Sequence, residues 1–177
     1  MPDSLVQTSL ELEDQLSKYQ PRIAQSTEDA GVEPFEVSAA ERAVEMDIWK
    51  TLGLILLDRL VFGRSTFDLK LRERLEDMQA MLQAVVLLCH ARERQSQNFI
   101  DFWSSYYSGP AFFAASLAVE DADRRFYRRF FREIGPEKAL LDLLVILEKT
   151  WAASDDAGHV LDWFEMIDQT ETAPLFF

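Results

Sequence analysis

The 177 residues are 48% apolar and 28% charged, a globular rather than disordered balance, and the length suits one domain able to bury roughly two thirds of its unfolded surface. The formal charge of −13, from 31 acidic against 18 basic side chains, sets the chain as a whole against nucleic acid and anionic membranes. One cysteine excludes an intramolecular disulfide and every multi-cysteine zinc site. The acidic segment after Met1 has no apolar core of a signal peptide, and no apolar run approaches the ~20 residues of a membrane span, so a soluble intracellular protein is expected.

The first predicted helix runs from Ser4 to about Gln25, with Leu5, Leu12, Leu16, Tyr19 and Ile23 at helical spacing and Pro21 as a kink. Thr27 to Val37, with Gly31 and Pro34 among acids, reads as a linker, so residues 1–37 form an acidic N-terminal helix and linker. Ser38 and Glu41 match a capping box and open a helix that Gly63 ends. Its TLGLILL middle is apolar on nearly every side and predicts a central position. A long helix follows from about Asp68 to Arg94, with Leu71, Leu75, Met78, Leu82, Val85, Val86 and Cys89 as its inner stripe. Cys89 therefore reads as a small buried hydrophobe rather than a reactive thiol.

The next helix covers about Gln97 to Tyr107. Gly109 ends it, and Pro110 starts another through Ala118. Asp121 or Asp123 caps an arginine-rich helix that stops at Gly135. Pro136 opens an apolar helix broken at Asp155–Gly158, Val160 to Asp168 forms a last amphipathic helix, and residues 170–177 are a tail. No segment alternates as a strand and no repeat period appears. The fold predicted is all-α, a bundle of about seven to eight helices, with residues 38–169 as its helical domain.

No catalytic constellation stands out. His90 and His159 lie on different helices without a ligand spacing, so no metal is expected, and no nucleotide or nucleophile motif occurs, so no cofactor is implied. Arg124, Arg125, Arg128, Arg129 and Arg132 interleave with aromatics, and Phe126, Tyr127 and Phe130 share a face with Asp123 at about 100° per residue. A nucleic-acid helix has that look, but the acidic background removes its long-range pull. The arginines are read as ion-pair partners for acidic segments of the same chain or of another protein. An effector pocket, if the chain has one, is expected to be walled by Trp49, Phe102, Trp103, Tyr106, Tyr107, Phe112 and Phe113, although the same residues also suit a plain core.

AVEMDIWKTLGLILLDRLVFG, then FWSSYYSGPAFFAASLAVEDADRRF, then Gly135 followed by ALLDLLVILEKTW and DWFEMI give the stretch from about Ala39 to Phe177 a pattern that resembles the fungal-specific transcription factor domain. That domain is the helical regulatory region that follows a zinc binuclear cluster in many fungal activators. The cluster takes six cysteines, and these 177 residues hold one, so the DNA-binding module is not in this chain. The resemblance implies nuclear localisation, a regulatory or effector-sensing role and association with a protein partner. It implies neither direct nucleic-acid binding by these residues nor a membrane. Two other readings stay open: a small helical enzyme of fungal secondary metabolism using a carboxylate such as Asp101 on an apolar substrate, and an acidic adaptor that binds a basic protein.

Overall fold

Six α-helices and one π-helical turn make up the described residues of the computed structural model, which are 3–19, 39–93, 98–134 and 138–160, and none of these residues is in a strand. The helices are α1 (Asp3–Lys18), α2 (Ala39–Leu56), α3 (Leu69–Glu93), α4 (Asn98–Ser116), α5 (Asp121–Glu133) and α6 (Lys138–Ala157). The all-α expectation holds, with six helices among the described residues against seven to eight predicted for the whole chain. The linker expected over 27–37, the helix expected over 160–168 (apart from Val160) and the tail over 170–177 lie outside the described residues, as does Pro21.

Two predicted helices are one, because α4 runs unbroken through Gly109 and Pro110. Proline has no amide hydrogen to give the Tyr106 carbonyl, a defect that costs about 3 kcal/mol in an exposed helix. Here Tyr107, Ala111, Phe112, Ala114 and Ala115, on either side of the proline, are all buried in the core. Their packing outweighs the lost hydrogen bond. A local punctuation mark is overridden by tertiary burial.

The core explains the layout. α4 packs on α2, α3, α5 and α6, so the central position falls to α4 and not to α2 as expected. Small Ala111, Ala114 and Ala115 let neighbouring helices approach closely, while α2 leaves Trp49 41% exposed. Phe112, Tyr127, Phe130, Phe131 and Trp151 fill the spaces between helices, each side chain contributing about 2–3 kcal/mol of transfer free energy on burial. Cys89 is buried in the same cluster.

The end of α2 departs from expectation. The helix widens into a π turn over Leu57–Val61, where the Phe62 amide donates to the Leu57 carbonyl at 3.0 Å, and Gly63 closes it at φ 60°. Asp58 lies in that turn and is fully buried. α3 starts as predicted, with Asp68 Oδ1 accepting from the Lys70 and Leu71 amides at 3.0 and 3.4 Å. α5 does not start as predicted: Glu120 takes the cap position without a side-chain bond. Asp123 instead accepts from Gln79 Nε2 of α3 at 3.0 Å, which leaves its carboxylate turned away from the helix amides. α6 continues past Asp155 to Ala157 and stops at Gly158, φ 70°.

Candidate functional site

The arginine helix is built around burial at i, i+3, i+6 and i+7. Arg124, Tyr127, Phe130 and Phe131 form its inner face. Arg124 donates from both terminal nitrogens to Asp155 of α6 at 2.7 and 2.8 Å, and its Nε donates to the Ala118 carbonyl at 3.1 Å. Arg128 makes a second forked pair with Glu148, about two turns earlier on α6, at 2.5 and 2.7 Å. Both guanidinium groups lie over the Trp151 ring, 5.7 and 5.0 Å from its centre. The indole N–H is in turn satisfied by the Ala115 carbonyl at 2.8 Å. Planar forks match carboxylates in a way lysine would not.

These pairs shift their acids. The Arg124 fork, against a smaller penalty of burial, holds Asp155 below the usual carboxylate range, and the Arg128 fork does the same for Glu148. Arg129 reaches Gln83 of α3 at 3.0 Å and lies 3.4 Å from Glu133, while Arg125 and Arg132 are exposed. Five arginines therefore divide into two that lock α5 to α6 and three on the surface.

The aromatic candidates lie around α4. Trp49 meets Tyr106 edge-on at 5.5 Å, Tyr106 meets Tyr107 at 5.4 Å, and Phe112 meets Phe113 at 6.3 Å. Tyr107 and Phe112 are buried, and Phe113 and Tyr106 are half-buried. Burial first, then Glu45, pushes the Tyr106 hydroxyl up to about 12. The side chains of Asp101, Phe102 and Trp103 lie outside the described residues.

An open cleft of about 140 Å³ lies elsewhere, between α3, the α4–α5 connection and the start of α5. Arg72, Glu76, Gln79, Glu120, Asp123 and Tyr127 supply its polar wall, and Leu75, Ala114, Leu117 and Val119 its apolar wall. Arg72 Nη2 donates to Glu120 Oε1 at 3.0 Å, tying α3 to the cap residue of α5. Tyr127 is only 1% exposed, and burial raises its hydroxyl well above the ordinary tyrosine value. The Gln79 amide lies close enough to favour ionisation but is turned to Asp123, and the hydroxyl completes no hydrogen bond. Of the seven aromatics singled out in the sequence, the five with described side chains, Trp49, Tyr106, Tyr107, Phe112 and Phe113, do not line this cleft.

A second polar cluster is closed rather than open. Arg74 of α3, itself 8% exposed, donates to Asp58 at 2.6 Å, to the Leu54 carbonyl at 2.8 Å and to Glu13 of α1. Arg64 pairs with the other oxygen of Asp58, and Lys70 pairs with Glu13. Burial raises the Asp58 carboxyl against the pull of Arg74 and Arg64. The cluster joins α1, the π turn and α3. Its sequence signal is an aspartate in the apolar run LILLDRLVF, since a buried charge demands partners. The cleft leaves no such signal, because its walls come from residues 66 to 127 in four separate segments.

Both histidines are exposed. Among the described residues no group of three histidine, cysteine or acidic side chains is placed to hold a metal, and no helix is long and apolar enough to cross a membrane. A sequence model described as the fungal specific transcription factor domain matches residues 1–177, taking in the first 38 residues that the resemblance by pattern had left out. No curated protein and no solved structure matches the chain.

Proposed function

Because the chain belongs to the fungal specific transcription factor domain family, we propose that it is a non-enzymatic helical regulatory domain that acts in the nucleus by binding another protein. A regulatory role in a fungal transcription factor follows from the family itself. The observation that carries the finer reading is the pairing of Arg124 with Asp155 and Arg128 with Glu148. The two innermost cations of the one basic helix are engaged in holding α5 on α6, and so are not offered to phosphates. The remaining surface arginines sit in a chain of net charge −13, which works against DNA contact.

The enzyme reading draws little support from the same geometry. Asp58 is the fully buried carboxylate, but two arginines neutralise it and it does not line the cleft. The acid-rich ends favour a partner with a basic surface, so the adaptor reading merges with the regulatory one. Fusing the full chain to a heterologous DNA-binding module upstream of a reporter tests this. The fusion should change reporter output relative to the DNA-binding module alone, and removal of residues 170–177 should show whether the tail carries the effect. Output equal to that of the bare module would remove the proposal.

A further inference from the structure

The cleft walled by α3 and α5 contains a feature that packing does not account for. Tyr127 is buried to 1% exposure, yet its hydroxyl has no hydrogen-bond partner, while Gln79 and Asp123 beside it bond to each other. A buried hydroxyl left unsatisfied costs about 1–3 kcal/mol relative to one that is paired. A phenylalanine would fill the same space without that cost. Tyr127 belongs to the buried cluster and at the same time lines the open cleft.

The rest of the lining sets the chemistry of what would bind. Glu76, Glu120 and Asp123 oppose the single guanidinium of Arg72, which is already engaged by Glu120 at 3.0 Å. Asp123 uses one oxygen on Gln79, and the structure gives Oδ2 no bond. Leu75, Ala114, Leu117 and Val119 form the opposite wall, and Phe67, 72% exposed, stands at the rim. An anion would meet three carboxylates; an ammonium group would find acceptors on Glu76, Asp123 and the Tyr127 oxygen. The volume of about 140 Å³ is close to that of an engineered cavity, about 150 Å³, that holds benzene.

We propose that this cleft is a binding site for a small organic ammonium ion, its charged nitrogen held between Glu76 and Asp123 with the Tyr127 hydroxyl as third partner, and its apolar body against Leu75, Leu117 and Phe67. The site stands whether or not the domain regulates transcription, and a binding measurement separates the two.

Benzylamine, benzyl alcohol and benzoate serve as probes of one shape and three charges, titrated into the full chain at pH 7 and followed by two-dimensional NMR. Benzylamine should saturate shifts of amides in 66–79 and 114–127, benzyl alcohol should bind several-fold more weakly, and benzoate should not bind. Tyr127→Phe should weaken benzylamine by about fivefold while leaving thermal stability unchanged or raised, because an unsatisfied buried hydroxyl is removed. Asp123→Asn, which keeps an acceptor for Gln79, should weaken it by about tenfold. Glu76→Gln reports on the site should either variant fail to fold. Benzoate binding as tightly as benzylamine, benzylamine shifts confined to other parts of the chain, or full affinity in all folded variants would overturn the assignment.

Discussion

Arg74 donates to Asp58, to Glu13 and to the Leu54 carbonyl from a position less than a tenth exposed. Cutting it to alanine leaves the fully buried Asp58 with Arg64 alone and leaves Glu13 of α1 held to α3 by Lys70 alone. Breaking a buried pair on one side costs about 3 kcal/mol or more, because the remaining charge has been taken out of water. Arg72, two residues away, makes its pair with Glu120 where both side chains are about half exposed, and such pairs contribute less than about 1 kcal/mol. Arg74→Ala should therefore move the urea midpoint far more than Arg72→Ala, and equal shifts would show that the cluster adds nothing to stability. Acid separates the same residues by sign. Burial pushes Glu13 up, but Lys70 and Arg74 together bring it below the usual glutamate value of 4.5, and Arg128 lowers Glu148. Stability from both is present above about pH 4.5 and is lost as pH falls through their depressed values. Asp58, raised by burial, runs the other way: its ionisation costs stability as pH rises above the usual 3.8, so its protonation partly offsets the acid loss. Urea titrations at pH 6 and pH 3.5 should show a smaller acid loss in Glu148→Gln than in the parent chain; an equal or larger loss would contradict the assignment.

At the scale of the element, two glycines with equally open surroundings should respond in opposite directions. A Cβ added at Gly109 or at Gly63 would meet nothing within 4 Å. Gly109 lies inside α4 with helical backbone, so Gly109→Ala should stabilise by about 0.5–1 kcal/mol through the unfolded chain's lost freedom. Gly63 ends the π turn at φ 60°, where an L side chain crowds the following carbonyl, so Gly63→Ala should destabilise by about 1 kcal/mol. Thermal melts of the two variants decide it, and a loss at Gly109 would mean that α4 is in fact hinged there. The same pair marks what the residues disclose in advance. Gly63 was legible as a stop and Asp68 as a start, because caps act through bonds to the next few amides. The Gly109-Pro110 break was not, because the burial that overrides it comes from four other helices. The π turn changes hydrogen-bond register without changing composition, so only buried Asp58 could have hinted at it. Among the arginines, the partners were beyond reach: Asp155 and Glu148 lie 31 and 20 residues away in sequence. The cleft was illegible for the same reason, being assembled from segments that share no period.

Taken whole, the molecule balances two electrostatic terms that salt treats differently. The net charge of −13 makes the folded chain repel itself, and that repulsion acts over distances comparable with the ~10 Å screening length of 0.1 M salt. Opposing it are short pairs: the closed cluster of Glu13, Arg74 and Asp58, and the forked pairs of Arg124 and Arg128 with α6. The first is out of contact with bulk ions, and the forked pairs are held at 2.5–2.8 Å, so screening weakens them far less than it weakens the diffuse repulsion. Raising sodium chloride from about 10 mM to about 200 mM should therefore raise the melting temperature, on the order of a few degrees for a domain of this size. Charge reversal of two exposed arginines makes the test sharper. Arg125→Glu with Arg132→Glu takes the formal charge four units further from zero without touching either forked pair, so this variant should melt lower at 10 mM salt and recover most of the difference at 200 mM. A melting temperature that falls with salt in the parent chain would mean that surface pairs outweigh the repulsion; a variant deficit that persists at 200 mM would mean that Arg125 or Arg132 holds the fold through a contact and not through charge.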